Sequence, residues 1–218
     1  MMTYGEIFQC LKGVGRVDLQ DLALVVEGTS YALHPICCQM DGTTPAVLEM
    51  LTVARNSNSN SFLTYFTATS ERTRKWLTSE VGMDSSRILF VLRETRTNSL
   101  YGFMGLAYGD KEGQRIEGDA IVRYANNHEP GLMQRAFLTL VTWVTQSLGV
   151  KEVWVRVLSD NPAVAFYQRC NFVALWQTDL FELRNSRGEL EALTESDDSG
   201  KLALATRTLT YMRYSPHR

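Results

Sequence analysis

The sequence lacks the features that would place the protein in a membrane or on nucleic acid. No run of 18 apolar residues occurs in the 218-residue chain, so no membrane-spanning helix is expected. The first 15 residues include Glu6 and scattered polar side chains, where a secretory signal would need an unbroken apolar stretch. The formal net charge of −2 gives no general attraction to nucleic acid or to anionic lipid. We therefore expect a cytoplasmic protein with no nucleic-acid and no membrane partner, in which any anion-binding site is local.

Cysteine is also scarce, with four residues at positions 10, 37, 38 and 170. Cys37 and Cys38 are adjacent, so they lack the two-residue spacing of a zinc knuckle or a redox pair, and no second pair complements them. A disulfide scaffold and a metal site are therefore not expected. Buried, reduced thiols in a cytoplasmic protein are the better interpretation.

What the chain does contain is the composition of an ordinary globular protein, with 44% hydrophobic and 21% charged residues. The pattern of short apolar runs and amphipathic stretches predicts a single α/β domain over residues 31–218. Residues 1–30 are expected to form an N-terminal extension, either a helix or a hairpin. No linker that would divide the main domain is visible.

The first half of the chain alternates between strand-like and helix-like periodicity. We predict a strand at 31–35, a helix at 44–56, a polar loop at 56–61 and a second helix at 70–81. Ser70 is expected to cap the first turn of this second helix. A hairpin follows, with its two strands at residues 87–93 and 100–108.

The second half continues the alternation of strands and helices. A strand is predicted at 115–124, a long helix at 132–148, a strand at 151–158 and a short helix at 163–170. Gly149 is expected to end the long helix. Two final strands at 172–183 and 202–214 flank a polar, acidic excursion at 186–201.

The turn between the strand at 115–124 and the long helix has the chemistry of an anion site. Pro130 fixes the entering chain, Gly131 allows close approach to the backbone, and Arg135 adds positive charge one turn later. The first turn of a helix presents unpaired N–H groups and the positive end of the helix dipole. Neither the three glycines of a dinucleotide fold nor the Gly-Lys-Ser/Thr of a nucleotide-triphosphate loop is present. A phosphate group of another kind of ligand is therefore the candidate occupant.

The segment that follows carries a more specific pattern. Ala163, Phe166, Tyr167 and Phe172 fit an Asn-x-x-Ala-x-x-(apolar)-Tyr motif that closes on Gly-Phe, with Asp160 in the place of the Asn and Asn171 in the place of the Gly. The order and spacing over residues 115–176 resemble the GNAT superfamily of acyl-CoA N-acyltransferases. In that family's Arg/Gln-x-x-Gly-x-Gly/Ala cradle, this chain has His128 first and Met133 last.

The resemblance implies a GNAT-like fold and a set of residues that bind acyl-CoA. The implied fold has a mixed central sheet with helices on both faces, splayed around the strands at 115–124 and 151–158. Acetyl-CoA or another short acyl-CoA is implied as the co-substrate, with no metal. The implied contacts are Ile121, Val122, Arg123, His128, Gly131, Leu132, Met133, Gln134, Asn161, Phe166 and Tyr167.

Acyl transfer from a thioester needs a proton donor for the departing thiolate, and Tyr167 is the candidate. A phenol with an ordinary pKa of about 10 is well matched to an alkyl thiolate. The alternative is a core tyrosine with a satisfied hydroxyl group. Asn161 either holds the pantetheine arm of the cofactor or caps the short helix, or does both.

The candidate general bases are Glu117 and Asp119, of which Asp119 is preferred. Alternation along a strand places Glu117, Asp119, Ile121 and Arg123 on one face, opposite an apolar face of Ile116, Gly118, Ala120 and Val122. The alternative is a solvated strand edge without a catalytic role.

The acceptor is expected to be a small-molecule primary amine. Arg55, Asn56, the Phe-x-x-x-Phe pair and Thr-x-x-Trp-Leu, together with Arg87-Ile-Leu-Phe and the Pro130 turn, are similar to bacterial enzymes that N-acylate nucleotide-linked amino sugars. A protein N-terminus, a polyamine and an aminoglycoside are the alternative acceptors. A non-catalytic acyl-CoA-binding module is the alternative function, and a homodimer is left open.

Overall fold

The computed structural model describes residues 2–110, 112–125, 129–196 and 205–216. Contacts divide the chain into two compact units. The N-terminal unit consists of Met1–Ala54 and Ala68–Val153, and the C-terminal unit consists of Arg55–Thr67 and Trp154–Arg218. In the described ranges, no helix has the length and apolar character needed to cross a bilayer. All four cysteines are free thiols, three of them buried and Cys37 half-buried.

The N-terminal unit contains an antiparallel meander of five strands. Each strand pairs with the next in the chain, in the order β1 Leu24–Val25, β2 Tyr31–Pro35, β3 Ile88–Glu94, β4 Leu100–Ala107 and β5 Arg115–Arg123. The predicted strand at 31–35 and the predicted hairpin of 87–108 are confirmed. Strands β3 and β4 are buried along most of their length, as their nearly continuous apolar sequences predict.

Helix α1 (Tyr4–Leu11) begins at a capping box, in which Thr3 and Glu6 satisfy each other's backbone N–H groups. Helix α2 spans Pro45–Ser57 and is followed by a single 3₁₀ turn, Ser59–Ser61. Because Asn56 and Ser57 belong to α2 and Ser59–Ser61 form the 3₁₀ turn, the predicted loop at 56–61 is wrong for most of its residues. Polar residues such as Asn and Ser are tolerated in the last turn of a helix, and the composition alone could not distinguish that turn from a connector.

Helix α3 spans Ser70–Lys75, and its N-cap residue is Thr69, one residue before the predicted cap Ser70. The side chain of Thr69, not that of Ser70, accepts the Arg72 N–H at 3.2 Å. Beyond Lys75 the chain continues as a wider π-helical turn, Trp76–Val81, which ends at Gly82. The predicted helix at 70–81 is thus confirmed in extent, although its second half has five-residue hydrogen bonding.

Helix α4 (Leu132–Thr142) also widens into a π-helical turn, at Trp143–Ser147. Its apolar face is fully buried, with Ala136, Phe137, Leu140 and Val144 at 0% exposure. Trp143 packs beside two aromatic rings of the same unit, with centroids 6.2 Å from Phe8 and 5.6 Å from Phe90. Each such large side chain contributes about 1.5–3 kcal/mol by burial, so this core fixes the position of α4.

Strand β6 spans Glu152–Leu158 and belongs to the C-terminal unit from Trp154 onward. The same unit contains helix α5 (Ala163–Arg169) and the strands β7 (Phe172–Arg184), β8 (Leu190–Thr194) and β9 (Arg207–Tyr214). β9 pairs with both β6 and β7, and β8 pairs with β7; all three pairings are antiparallel. The predicted excursion at 186–201 therefore contains a strand that the sequence analysis missed.

Segment 55–67 packs on strand β8 within this unit. Thr64 forms a β-bridge with Ala192, and the backbones of Leu63 and Tyr65 exchange hydrogen bonds with Leu193 and Glu191. Leu63 and Tyr65 also cover a buried cluster of four leucines, which comprises Leu158, Leu180, Leu193 and Leu209. This cluster forms part of the hydrophobic core of the C-terminal unit.

Candidate active site

Strand β5 carries a bulge in the middle of the stretch predicted to lie beside the cofactor. Its register to β4 runs from Phe103–Val122 to Gly105–Asp119, so two residues of β5, Ala120 and Ile121, stand opposite the single residue Met104. Ala120 has a positive φ of 50°. Such a conformation costs a non-glycine residue about 1–2 kcal/mol, so the surrounding ladder must hold the bulge in place.

The bulge changes which side chains share a face. Because Phe103 and Gly105 lie two residues apart on β4, their partners Val122 and Asp119 point to the same side of the sheet. Glu117 joins them through its pairing with Ala107. Arg123 pairs with Gly102 and lies on the opposite face. The predicted shared face of Glu117, Asp119 and Arg123 is therefore wrong for Arg123, since one extra residue reverses the alternation beyond Ala120.

Asp119 is held by an arginine from the start of β3. Arg87 donates from Nε at 2.9 Å and from Nη2 at 2.7 Å, both to Oδ2 of Asp119. The two side chains are 19% and 20% exposed. The guanidinium carbon of Arg87 lies 5.1 Å from the centroid of the Trp76 ring, within the range of a cation–π contact. Asp119 is therefore a partly buried, charge-paired carboxylate.

Glu117 is more deeply buried, with 6% of the residue exposed. Arg115, two residues before it on the same strand, donates from Nη2 to Oε1 of Glu117 at 2.8 Å. The alternative of a solvated edge is wrong for Glu117, because burial and the ion pair remove this carboxylate from bulk water. Both predicted base candidates thus carry an arginine partner.

The turn before α4 has the backbone geometry that an anion site needs. Gly131 adopts a left-handed conformation, with φ 73°, and a Cβ built on it would have no atom within 4 Å. The first intrahelical bond runs from the Arg135 N–H to the Gly131 carbonyl, at 2.9 Å. The Tyr101 hydroxyl accepts the Glu129 N–H at 3.2 Å and so fixes the chain entering the turn. The open space beside Gly131 fits the close approach of a pyrophosphate.

The side chains of Leu132, Met133 and Arg135 make contacts within the N-terminal unit. The Met133 sulfur lies 3.3 Å from the position of a Cβ built on Gly102 of β4, and Leu132 is fully buried. Arg135 reaches the Gly28 carbonyl at 3.5 Å. The Leu132 N–H already donates to the Glu129 carbonyl at 3.2 Å, which leaves the Met133 N–H in the first turn of α4 as the backbone donor best suited to a ligand there. His128, predicted in the same cradle, lies outside the described residues.

Tyr167 lies on α5 of the C-terminal unit and is 9% exposed. Its ring contacts those of Phe166 and Phe172, at centroid distances of 5.3 and 5.9 Å. Asn161 accepts the Ala163 N–H on its Oδ1 atom at 2.8 Å, which caps the start of α5. Asn161 thus bonds the backbone at the entry to α5, whose N-cap residue is Pro162, and its contact to a pantetheine arm stays a prediction.

Asp160, which replaces the motif's asparagine, is paired with Arg207 of β9. Arg207 donates from Nη2 at 2.5 Å and from Nε at 3.2 Å to the two oxygens of Asp160. These bonds lower the pKa of the Asp160 carboxyl group. Arg207 also donates to the Asn60 carbonyl and to the Tyr65 hydroxyl, both at 3.3 Å. One arginine thus joins the turn before α5 to segment 55–67.

Two arginines of the site, Arg87 and Arg207, were missed as partners by the sequence analysis. Each bridges positions far apart in the chain, so a single sequence does not show which carboxylate it meets, although Arg87 was noted in the Arg87-Ile-Leu-Phe stretch. Arg55 was noted for its resemblance to amino-sugar enzymes, but its guanidinium is sandwiched at 4.1 and 4.5 Å between the rings of Phe62 and Phe66. These three residues therefore stabilise segment 55–67.

A cavity of about 300 Å³ lies next to the end of α5, lined by Gln168, Asn171, Phe172, Val173 and Ala174. Its lining includes no charged side chain. No chemistry is assigned to it.

Comparison with known proteins identifies the family. The model of the acetyltransferase (GNAT) domain matches residues 43–173, which is more than half of the chain. No curated protein sequence gives a significant match.

Solved structures share the fold at low sequence identity. The spermidine N-acetyltransferase from Vibrio cholerae in complex with CoA and spermine has a TM-score of 0.60 at 15% identity, over 84% of this chain and 94% of that one. A probable acetyltransferase of the GNAT family from Chromobacterium violaceum has a TM-score of 0.62 at 15% identity, over 88% and 84%. RimL, the ribosomal L7/L12 α-N-protein acetyltransferase, has 0.63 at 12% identity, over 88% and 93%.

These likenesses confirm the predicted α/β fold of the GNAT type, and the family match covers both the turn at Gly131 and the motif around Tyr167. The chain belongs to the GNAT acetyltransferases and is an acyl-CoA-dependent N-acetyltransferase.

Proposed function

We propose that the protein transfers an acetyl group from acetyl-CoA to the amino group of a nucleotide-linked amino sugar. The observation that carries the acetyl-CoA part is the turn before α4, where Gly131 leaves the backbone open to a ligand at the positive end of an 11-residue helix. The acceptor part rests on the resemblance around residues 55–77 and on the charges along β5.

The pyrophosphate of acetyl-CoA is assigned to the turn. The N–H of Met133 lies in the first helical turn, where no carbonyl four residues earlier in the helix can accept it. Gly131 and Leu132 supply further backbone, and His128, Gln134 and Arg123 are proposed to complete the contacts. Ile121 and Val122 on β5 are proposed contacts of the pantetheine arm, and Asn161 and Phe166 are proposed contacts of the cofactor.

The reaction itself requires two proton movements. The neutral amine attacks the thioester carbon and forms a tetrahedral intermediate, and its nitrogen gives one proton to Asp119. The C–S bond then breaks, and the thiolate takes one proton from the Tyr167 hydroxyl. The products are the amide and free coenzyme A, and solvent returns the proton from Asp119 to Tyr167. Glu117 is the second candidate for the base.

Charge on β5 favours an acceptor that is not a polycation. A polyamine is recognised best by carboxylates that lack cationic partners, and here Glu117 and Asp119 are each paired with an arginine. With Arg87 and Arg115 each paired to one carboxylate, the face that carries Glu117 and Asp119 has no net negative charge. An amine attached to a phosphate-bearing molecule meets no electrostatic penalty there.

The test is release of free thiol from acetyl-CoA in the presence of matched acceptors, with the product identified by mass spectrometry. The panel contains a UDP-linked amino sugar, spermidine and a peptide with a free N-terminus. We expect turnover to be highest with the nucleotide sugar. Preferred acetylation of spermidine or of the peptide would refute the acceptor assignment. Thermal stabilisation by acetyl-CoA without turnover on any amine would indicate a binding module instead.

A further inference from the structure

We propose that Arg87 is a positioning residue for Asp119, holding one carboxylate oxygen so that the other faces the acceptor amine. The proposal rests on the assignment of Asp119 as the base in the proposed function. It gives a role to Arg87, which the sequence analysis noted only as part of the Arg87-Ile-Leu-Phe stretch.

The strand register explains how Arg87 reaches Asp119. Leu89 pairs with Gly105, and Gly105 pairs with Asp119, so the three residues lie in a row across β3, β4 and β5 on one face. Arg87 precedes Leu89 by two residues and therefore shares that face. The residues of β4 that its side chain must cross are Gly105 and Ala107. Because neither carries a large side chain, the guanidinium group passes over β4 to Asp119.

Arg87 contacts only one of the two carboxylate oxygens of Asp119, and this asymmetry is the basis of the proposed role. Both Arg87 nitrogens donate to Oδ2, and within the described part of the chain Oδ1 accepts no hydrogen bond. A purely structural arginine–carboxylate pair commonly uses both oxygens in a fork. Here the geometry fixes the rotamer of Asp119 and leaves one oxygen with its lone pairs available.

Trp76 restricts the arginine in turn. Its ring lies 5.1 Å from the guanidinium carbon, at the first residue of the π-helical turn that follows α3. An aromatic face next to the guanidinium limits its rotation, and only the edge bearing Nε and Nη2 is directed to the carboxylate. The chain of contacts from Trp76 through Arg87 to Asp119 is therefore a rigid support for the candidate base.

The test is a kinetic double-mutant cycle with the best acceptor from the amine panel. Alone, Arg87→Gln should lower kcat by about tenfold or more, because small misplacements of a reacting group have effects up to about 10²-fold. The Kd of acetyl-CoA should stay within about twofold, since the cofactor is assigned to other residues. In an Asp119→Asn background, where the carboxylate that Arg87 positions is gone, Arg87→Gln should have little further effect.

Two further variants separate positioning from stability. Arg87→Lys keeps the charge and should recover part of kcat, but not all of it, because lysine lacks the planar two-donor edge. Arg115→Gln removes the matched pair at Glu117 and should lower kcat by the same factor in both backgrounds. An effect of Arg87→Gln that is undiminished in the Asp119→Asn background would overturn the proposal. So would a parent-like kcat of Arg87→Gln or of Arg87→Lys.

The outcome is distinguishable from failure of the proposed function. If the unmodified protein acetylates none of the amines, the function itself is wrong. If it acetylates one of them and the cycle is additive, the function stands and Arg87 is a structural residue. If Arg87→Gln does not fold, Arg87→Lys is compared in the unmodified protein and in the Asp119→Asn variant. Arg87→Lys is then expected to lower kcat only where Asp119 is present.

Discussion

Glycines at the two ends of helix α4 and its π-helical turn offer a controlled test of the pyrophosphate site. Gly131 precedes the helix with φ 73°, and Gly149 follows it with φ 74°. A Cβ built on either glycine meets no atom within 4 Å. Alanine at each position therefore suffers the same backbone penalty and no steric clash, and the two variants differ only in the end of the helix that they change.

The expected stability loss is about 1–2 kcal/mol for each variant, which is the penalty of a left-handed conformation for an L-residue. For a chain of this length such a loss lowers Tm by about 2–8 °C, at about 2–4 °C per kcal/mol. The expected effects on cofactor binding differ. At Gly131 the added methyl group stands where the pyrophosphate approaches the backbone, and loss of one hydrogen bond to a charged group is worth about 1.5–3 kcal/mol.

The assay is isothermal titration of both variants with acetyl-CoA at a temperature well below Tm. Gly131→Ala should raise Kd by about tenfold or more, because each 1.4 kcal/mol corresponds to one factor of ten. Gly149→Ala should leave Kd unchanged. Equal affinities in the two variants would refute the assignment of the pyrophosphate to the N-terminus of α4.

The remaining predictions concern a buried charge, the cradle and the arginine of β9. Burial lowers the pKa of the Lys12 ammonium group, which donates to the carbonyls of Val81 and Asp84, to about 8. Between about pH 8 and 10.5 the unfolded chain therefore binds more protons than the folded chain, and the free energy of unfolding should rise with pH. Measured by denaturant unfolding, this rise should be steeper in the parent than in Lys12→Met by about 1 kcal/mol per pH unit. Parallel curves for the two proteins would contradict this. Met133→Glu adds a negative charge to the first turn of α4, where it opposes the attraction of the helix N-terminus for an anion, and should raise the Kd of acetyl-CoA; an unchanged Kd would place the phosphate elsewhere. Arg207→Gln removes the donors to Asp160 and Tyr65, so hydrogen exchange at the Tyr65 amide should become faster, and unchanged exchange would show that the β-bridge at Thr64 suffices.

Periodicity predicted the long elements and missed their local departures. The apolar spacing of Ala136, Leu140 and Val144 located α4, but the same spacing cannot distinguish a 3.6-residue turn from the wider turn at Trp143–Ser147. Strand β8 was missed because Leu190–Thr194 lies between acidic residues, and only Leu193 of that strand is deeply buried. A short strand that gains its stability from packing on β7 leaves little signal in its own residues.

In the candidate site, features that depend on neighbouring residues were predicted, and features that depend on strand pairing were not. Turn chemistry predicted the glycine turn at Gly131 and a local side-chain bond of Asn161, since both depend on neighbouring residues in the chain. The bulge at Ala120 has no signal in the sequence, because alanine rarely adopts a positive φ and the β4 ladder imposes it. The partners of the carboxylates depend on the register of β3, β4 and β5, which a single sequence does not determine. The assignment of Asp119 as base remains a prediction.

The most direct test of the central claim is the turnover of Tyr167→Phe compared with Tyr214→Phe. Both tyrosine rings contact Phe172, at 5.9 and 5.5 Å, so the two variants lose one hydroxyl group in similar packing. Tyr167→Phe should lower kcat by about 10²-fold or more, the usual contribution of a general acid. It should leave the Kd of acetyl-CoA nearly unchanged and reduce stability by no more than about 1.5 kcal/mol. Tyr214→Phe should keep parent-like turnover. Parent-like turnover of Tyr167→Phe, or equal losses in both variants, would contradict the assignment of Tyr167 as the proton donor to the departing thiolate.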